Sequence, residues 1–248
     1  MCYAVFMEKL DENCIAARLA LPEVAVRAYE TLPSTNDACR ALLEAGAGEC
    51  LVVAARQSGG RGRRGRSFFS PEGGLYMSLG FPARADALAV TCLAAVAAAE
   101  AIEAVTGISC GIKWVNDLYL RGKKVCGILA EAAGERVIVG IGVNLIPAPL
   151  PPELENTVGF LDCGDVRQAL AAEIARRILR PERPPQETLE EYRRRSLVLG
   201  KTLECTVGER TFSAKALKIA DDGALVVSSP DGEETLRWGE VSIRGDFK

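Results

Sequence analysis

Gly59-Gly60-Arg61-Gly62-Arg63-Arg64-Gly65-Arg66 packs four glycines and four arginines into eight residues. Leu51-Val52-Val53-Ala54-Ala55 leads into it, with Gln57 just before the glycines. Ser67-Phe68-Phe69-Ser70-Pro71 follows, and Leu75-Tyr76-Met77-Ser78-Leu79-Gly80-Phe81 leads out. Two strand-like runs around a glycine-rich segment predict a strand, a long loop and a second strand. Glycine lets backbone N–H groups approach a ligand closely and adopt positive φ. Arginine supplies planar forks that match phosphate or carboxylate oxygens. Together they make a cradle for an anion. Two other readings stand beside it. Arg-Gly repeats also bind RNA, usually in long low-complexity tails, whereas here apolar runs flank the segment. A solvated loop with no ligand is the third.

The whole chain narrows these choices. It has 248 residues, 48% hydrophobic and 25% charged, which suits a globular protein of one large domain or a large plus a small one. The net charge of −3 gives no global basic field for nucleic acid, so the arginines act locally if at all. No uninterrupted apolar run reaches the roughly 18–20 residues of a membrane span. The alanine-rich stretch 88–105 comes nearest, but Thr91, Glu100 and Glu103 break it, and it reads as a packed helix. Residues 1–9 hold too short an apolar run for a signal peptide. The expectation is a cytoplasmic protein that engages no membrane.

Histidine is absent. That excludes a Ser-His-Asp triad, a Cys-His pair and any His-ligated metal. Proton transfer falls to Lys, Asp, Glu, Tyr or the substrate. Carboxylates and ligand phosphates could still hold Mg²⁺. The nine cysteines are scattered, odd in number and without a C-x-x-C pair, against a disulfide framework or a cysteine zinc site.

Along the chain, 11–20 reads as a short helix and 24–29 as a strand. Pro33-Ser34-Thr35-Asn36-Asp37 signals a turn and a helix start, with Ser34 or Thr35 as cap and Gly46 as stop. Residues 1–33 are too few for a helix-turn-helix unit and a linker, so no DNA binding is expected. A long helix over 86–106 stops at Gly107. Strands follow over 112–115, 117–120, 124–131 and 136–144, with Arg121-Gly122-Lys123 as a hairpin turn. Gly127, Gly140 and Gly142 inside strands point to a ligand or backbone close by. Pro147–Pro152 is a proline-rich loop. Helices over 165–179 and 185–196 come next. From Lys201 short strands alternate with turns at Gly208-Glu209, Asp221-Asp222-Gly223 and Pro230-Asp231-Gly232, a small all-β barrel of about fifty residues. The boundary falls near Leu199-Gly200, giving units 1–199 and 200–248.

Asn116-Asp117 lies between two strands and Lys124 opens the next, so the hairpin brings Asp117 near Lys124. A surface ion pair of little energetic value explains that equally well. The ordered set decides. Ser34-Thr35-Asn36, Gln57, Gly60-Arg61-Gly62-Arg63-Arg64-Gly65-Arg66 and Phe69-Ser70-Pro71 are followed by Lys113-Trp114-Val115-Asn116-Asp117-Leu118-Tyr119. Then come Lys124-Val125-Cys126-Gly127-Ile128-Leu129, Gly140-Ile141-Gly142-Val143-Asn144 and Trp238-Gly239-Glu240-Val241-Ser242. From about residue 30 onward this order resembles the biotin protein ligase family. Val115 stands where that family often has proline, and Phe68, whose ring would still stack on an adenine, where it often has tryptophan.

The resemblance implies an α+β fold: a mixed-sheet catalytic domain of the biotin/lipoate ligase type with a small C-terminal SH3-like β-barrel. It implies that biotin carboxylate attacks the α-phosphate of ATP, and that a lysine of a biotin carboxyl carrier domain, as in acetyl-CoA carboxylase, then takes the acyl group. ATP, biotin and Mg²⁺ are the implied cofactors. Ser34, Thr35 and Gln57 would meet the ureido head. Arg61, Arg63 and the loop's glycine amides would hold phosphates. Lys124 would bridge carboxylate and α-phosphate. Phe69 and Asn144 would serve the adenine. Asn36, Gly60, Gly62, Arg66, Asn116 and Gly127 complete the implied binding surface. Asp117 would orient Lys124, hold Mg²⁺ or accept a proton, and the residues do not choose. Family members often dimerise through the catalytic sheet. A lipoate–protein ligase and a nucleic-acid-binding protein using the Arg-Gly loop are the alternatives.

Overall fold

A computed structural model describes residues 7–243. Residues 1–6, the start of the segment read above as no leader, and 244–248, the end of the C-terminal unit, lie outside the described residues.

Asp11 caps α1 (Glu12–Leu19) by accepting the Cys14 N–H. The chain then runs through β1 (Val24–Leu32), α2 (Thr35–Glu44) and β2 (Glu49–Gln57). β1 and β2 are parallel, as a helical crossover requires. After the glycine-rich loop, β3 (Leu75–Pro82) returns antiparallel to β2. Asp86 caps α3 (Ala87–Thr106), and Gly107 ends it at φ 74°, a left-handed geometry that glycine adopts freely. β4 (Gly111–Lys113), β5 (Asp117–Leu120), β6 (Lys123–Ala133) and β7 (Arg136–Val143) form an antiparallel meander. β7 pairs with β3, giving one seven-stranded mixed sheet in the order β1-β2-β3-β7-β6-β5-β4.

Strand periodicity separates the two faces of this sheet. On one, Leu51, Val53, Met77, Leu79, Val139, Ile141 and Val143 are buried in the main core beneath helices. α3 is apolar and long enough to cross a membrane by composition, with mean hydropathy 1.9. Its residues from Val90 to Ile102 are nevertheless mostly buried inside the protein. The alternate positions face the other way. At one end Cys50, Val52 and Ile138 pack with Cys39 and Leu43 of α2 in a smaller cluster. Further along stand Ser78, Gly140, Gly142 and Gly127, and there the face opens into a cleft. Pairing Ser78 with Gly140 and Gly127 with Gly142 sets these positions side by side.

α4 (Arg167–Leu179) and α5 (Pro185–Arg195) follow. β8 (Thr202–Val207), β9 (Arg210–Ile219), β10 (Leu225–Ser229), β11 (Gly232–Leu236) and β12 (Glu240–Ile243) build a second, antiparallel sheet ordered β11-β10-β9-β8-β12. Its turns fall at the glycine-containing breaks read from the sequence. Leu203, Ala216, Leu225 and Val241 from this sheet belong to the same contiguous core as the large sheet. Trp114 ties the two together by donating its indole N–H to Gly223 O at 3.0 Å. β4 stops at Lys113, two residues before the predicted end, and the Trp114–Val115 peptide is cis. Of the eight described cysteines all are free, and six of them are buried small hydrophobes.

Candidate active site

A cleft of about 250 Å³ lies on the open face, floored by β6 and β7 and walled by the start of α2, the glycine-rich loop and the β12 edge. Two chemically different ends meet in it.

The first end is neutral and buried. Ser34 occupies the N-cap position of α2 but caps nothing with its side chain; it lines the cleft instead. The Thr35 N–H donates to Gln57 Oε1 at 2.8 Å, so β2's last residue holds the helix start. Gln57 Nε2 donates to Ser70 Oγ at 3.1 Å. Asn36 Nδ2 donates to Glu131 Oε2 at 2.7 Å, and Asn36 Oδ1 lies 2.6 Å from Ser78 Oγ. A Cβ at Gly140 would overlap that amide oxygen, so only glycine leaves Asn36 its seat.

The second end is cationic. Lys124 Nζ lies 2.8 Å from Asp117 Oδ1, both half-buried. The lysine stem runs over Gly127, where a Cβ would stand 3.0 Å from Lys124 Cε. Arg63 donates to Asn116 Oδ1 at 3.0 Å, and Asn116 Nδ2 in turn donates to Ile128 O at 2.9 Å. Lys113 sits 5.3 Å from the Tyr119 ring centroid. Burial lowers the pKa of Lys113 and of Arg63, and the Asp117 charge opposes both shifts. Burial also pushes Tyr119 up to about 12, so that phenol stays neutral. Three cations around one carboxylate leave this end attractive to anions.

The loop is more ordered than its composition suggests. Arg61 bridges to Ser67 as paired backbone, the Gly62 N–H donates to Arg66 O at 2.7 Å, and a 3₁₀ turn over Arg63–Gly65 forms the tip. Arg64 and Gly65 there have φ of 58° and 73°. Carboxylates hold its arginines: Arg61 pairs with Asp37, and Arg66 with Glu240 at 2.7 Å. Arg64 lies 3.9 Å from Glu240 and 5.7 Å from the Trp238 ring centroid.

The structure brings Ser34, Thr35, Asn36, Gln57, Arg61, Gly62, Arg63, Arg66, Asn116, Asp117, Lys124 and Gly127 to the cleft. Gly60, Phe69 and Asn144 are not on its wall. Gly60 is packed where a Cβ would stand 2.6 Å from Phe68 O and from Ser70 Oγ. Asn144 donates to Gly159 O at 3.1 Å and fastens a loop behind the floor. Phe68, not Phe69, holds the floor: a Cβ at Gly127 would stand 2.7 Å from its ring, and one at Gly142 would overlap it. Lys113, Gly140, Gly142 and the stretch Gly239–Ser242 also line the cleft. The period-two glycines 140 and 142 were the signal for the floor. A half-buried lysine at the end of a short strand carries none.

This fold is that of the biotin/lipoate protein ligase class. The chain belongs to the biotin/lipoate A/B protein ligase family, whose model matches residues 29–145. It is 33% identical to the biotin--[acetyl-CoA-carboxylase] ligase of Paracoccus denitrificans over 235 residues, 86% of this chain and 98% of that one. It is 32% identical over 240 residues to the bifunctional ligase/repressor BirA of Bacillus subtilis (strain 168), covering 87% of this chain and 73% of that one. Among solved structures it resembles the biotin protein ligase from Aquifex aeolicus in complex with biotin and ATP. That match has a TM-score of 0.77 and 26% identity, over 89% of this chain and 98% of that one.

Proposed function

We propose that this chain is an ATP-dependent ligase that activates biotin as its adenylate and transfers it to a lysine of a biotin carboxyl carrier domain. One observation carries the reading. A buried set of neutral hydrogen-bonding groups and a cluster of three cations share one cleft, joined by a glycine floor. The first suits a small uncharged polar head; the second suits a carboxylate meeting a phosphate. Biotin joins these two chemistries by an apolar chain.

In the first step a biotin carboxylate oxygen attacks the α-phosphorus and pyrophosphate leaves. Two anions must meet, and Lys124 stands where one ammonium neutralises both. Asp117 at 2.8 Å fixes that ammonium in place, which favours an orienting role for it. Arg63 and Arg66 exchange their present protein partners for phosphate oxygens. In the second step the carrier's lysine amine attacks the acyl carbon and AMP leaves with the bonding electron pair.

Mg²⁺ finds no cage of protein ligands. Among the described residues no three acidic, cysteine or histidine groups gather, and the carboxylates on the cleft wall, Asp117 and Glu240, are both paired with cations. The reading also takes residues 1–199 as the catalytic unit and 200–248 as a C-terminal unit closing over the loop. It includes work in the cytoplasm, no affinity for DNA, and pairing of two copies through the large sheet.

The test is exchange of labelled pyrophosphate into ATP with either biotin or lipoate present. Exchange supported by biotin is expected. Exchange supported by lipoate alone would replace the reading with its nearest rival.

A further inference from the structure

Glu131 lies beyond the cleft wall, yet it ends a chain of hydrogen bonds that runs into the neutral end. It stands on β6, its carboxylate 3.6 Å from the Arg40 guanidinium. A carboxylate beside a guanidinium is an acceptor only. The group facing Glu131 Oε2 at 2.7 Å must therefore be the NH₂ of Asn36, never its oxygen. That choice turns Asn36 Oδ1 toward Ser78. Both side chains are buried, so this oxygen needs a donor, and the Ser78 hydroxyl at 2.6 Å is the one available.

A hydroxyl has one proton. Ser78 Oγ also lies 2.7 Å from Thr35 Oγ1, but its proton is committed to Asn36. Thr35 thus receives nothing from Ser78. Its own proton goes to protein, either to Ser78 Oγ or to Gln57 Oε1 at 3.1 Å. Both lone pairs of Thr35 stay free, on a residue that lines the cleft.

We propose that Glu131 is a specificity-determining positioning residue: through Asn36 and Ser78 it keeps Thr35 an acceptor for a ligand N–H. This rests on the reading of the cleft as a biotin site. It adds that the cyclic-urea N–H of the ligand is selected by a carboxylate that never touches it. An acid whose ring carries no N–H, such as lipoate, gains nothing from the arrangement. With an amide at position 131 the constraint disappears. The Asn36 side chain is then free to flip, Ser78 turns its proton onto Thr35, and one acceptor lone pair is consumed.

The experiment is biotin-dependent pyrophosphate exchange by wild type, Glu131→Gln, Ser78→Ala and the double variant. Glu131→Gln should raise the KM for biotin about tenfold, the size of one lost hydrogen bond to a buried ligand, with kcat and the KM for ATP unchanged. With Ser78→Ala present there is no proton to redirect, so adding Glu131→Gln should change the biotin KM less than twofold. A biotin KM unaffected by Glu131→Gln would overturn the proposal. So would the same fold-change in both backgrounds, because a plain structural or field effect of Glu131 does not pass through Ser78. If wild type fails to exchange with biotin, the reading of the site fails as well. If wild type exchanges and the coupling is absent, the relay alone is wrong.

Discussion

The two ends of the cleft are built on opposite plans. Around Ser34, Thr35, Asn36 and Ser78 every group is neutral and nearly fully buried, and hydrogen bonds between side chains hold Thr35, Asn36 and Ser78. Around Arg61, Arg63, Arg66 and Lys124 the groups are charged and partly to largely exposed, and carboxylates or an amide hold them. A small rigid head is recognised by positions that cannot move. A triphosphate that arrives and a pyrophosphate that leaves need charges that exchange partners. Burial costs the first end little because neutral pairs are satisfied internally. Burying the second end would desolvate its charges at several kcal/mol per ion, roughly, so it stays near solvent.

The largest effect should come from Lys124→Ala. Loss of a donor aimed at developing charge costs about 3–4 kcal/mol, roughly 10²- to 10³-fold in adenylation, with the fold unchanged. Pyrophosphate exchange at the wild-type rate would remove Lys124 from the chemistry. Next, Gly140→Ala and Gly142→Ala place a methyl two residues apart on the same face of β7. The first displaces the buried Asn36 amide, and the second displaces the Phe68 ring. We expect the KM for biotin to rise about tenfold in Gly140→Ala, since overpacking a fixed site costs roughly 1–3 kcal/mol. Gly142→Ala should act on the KM for ATP, and by less, because the Phe68 ring, 5.7 Å from the Lys124 ammonium, stands at the adaptable end. Equal effects on both substrates in both variants would dissolve the distinction between the ends.

Arg63→Gly should act more subtly. Losing one contact to the nucleotide leaves the loop open more of the time, so the adenylate forms but escapes. Biotin transfer to serum albumin without any carrier should rise over wild type. Unchanged labelling and unchanged retention of the adenylate through a desalting column would mean that the loop is no lid. The smallest expected effect is none: a fragment of its own promoter should migrate unshifted at physiological salt. A specific shift would hand the loop's arginines to nucleic acid.

Much of this was legible in the sequence because it is written in local chemistry. Asp86 and Gly107 bound α3 where the capping signals stand. The strand–loop–strand around Gly59–Arg66 follows from apolar runs and glycines. The Lys124–Asp117 pairing follows from one short hairpin. The positions that do not line the cleft depend on contacts distant in sequence. Phe68 and Phe69 are adjacent in the loop between β2 and β3, where no strand period says which ring turns inward. Choosing between them required knowing that Gly127 and Gly142 would lie beneath one ring. Asn144 resembles a ligand group until the loop carrying Gly159 is seen to use it. Glu131 acts through Asn36, 95 positions away in sequence, and no spacing announces such a pair.

Gly223 belongs to the second sheet's turn, yet it receives the Trp114 indole, and a Cβ there would stand 2.8 Å from Cys92 Sγ on α3. Trp114 in turn lies next to Lys113 and two residues from Asn116, all on the cleft wall. In evolutionary terms the last fifth of the chain is therefore not a cassette. Swapping it between relatives by recombination would carry away the socket for a tryptophan beside the reacting groups and the carboxylate that meets Arg66.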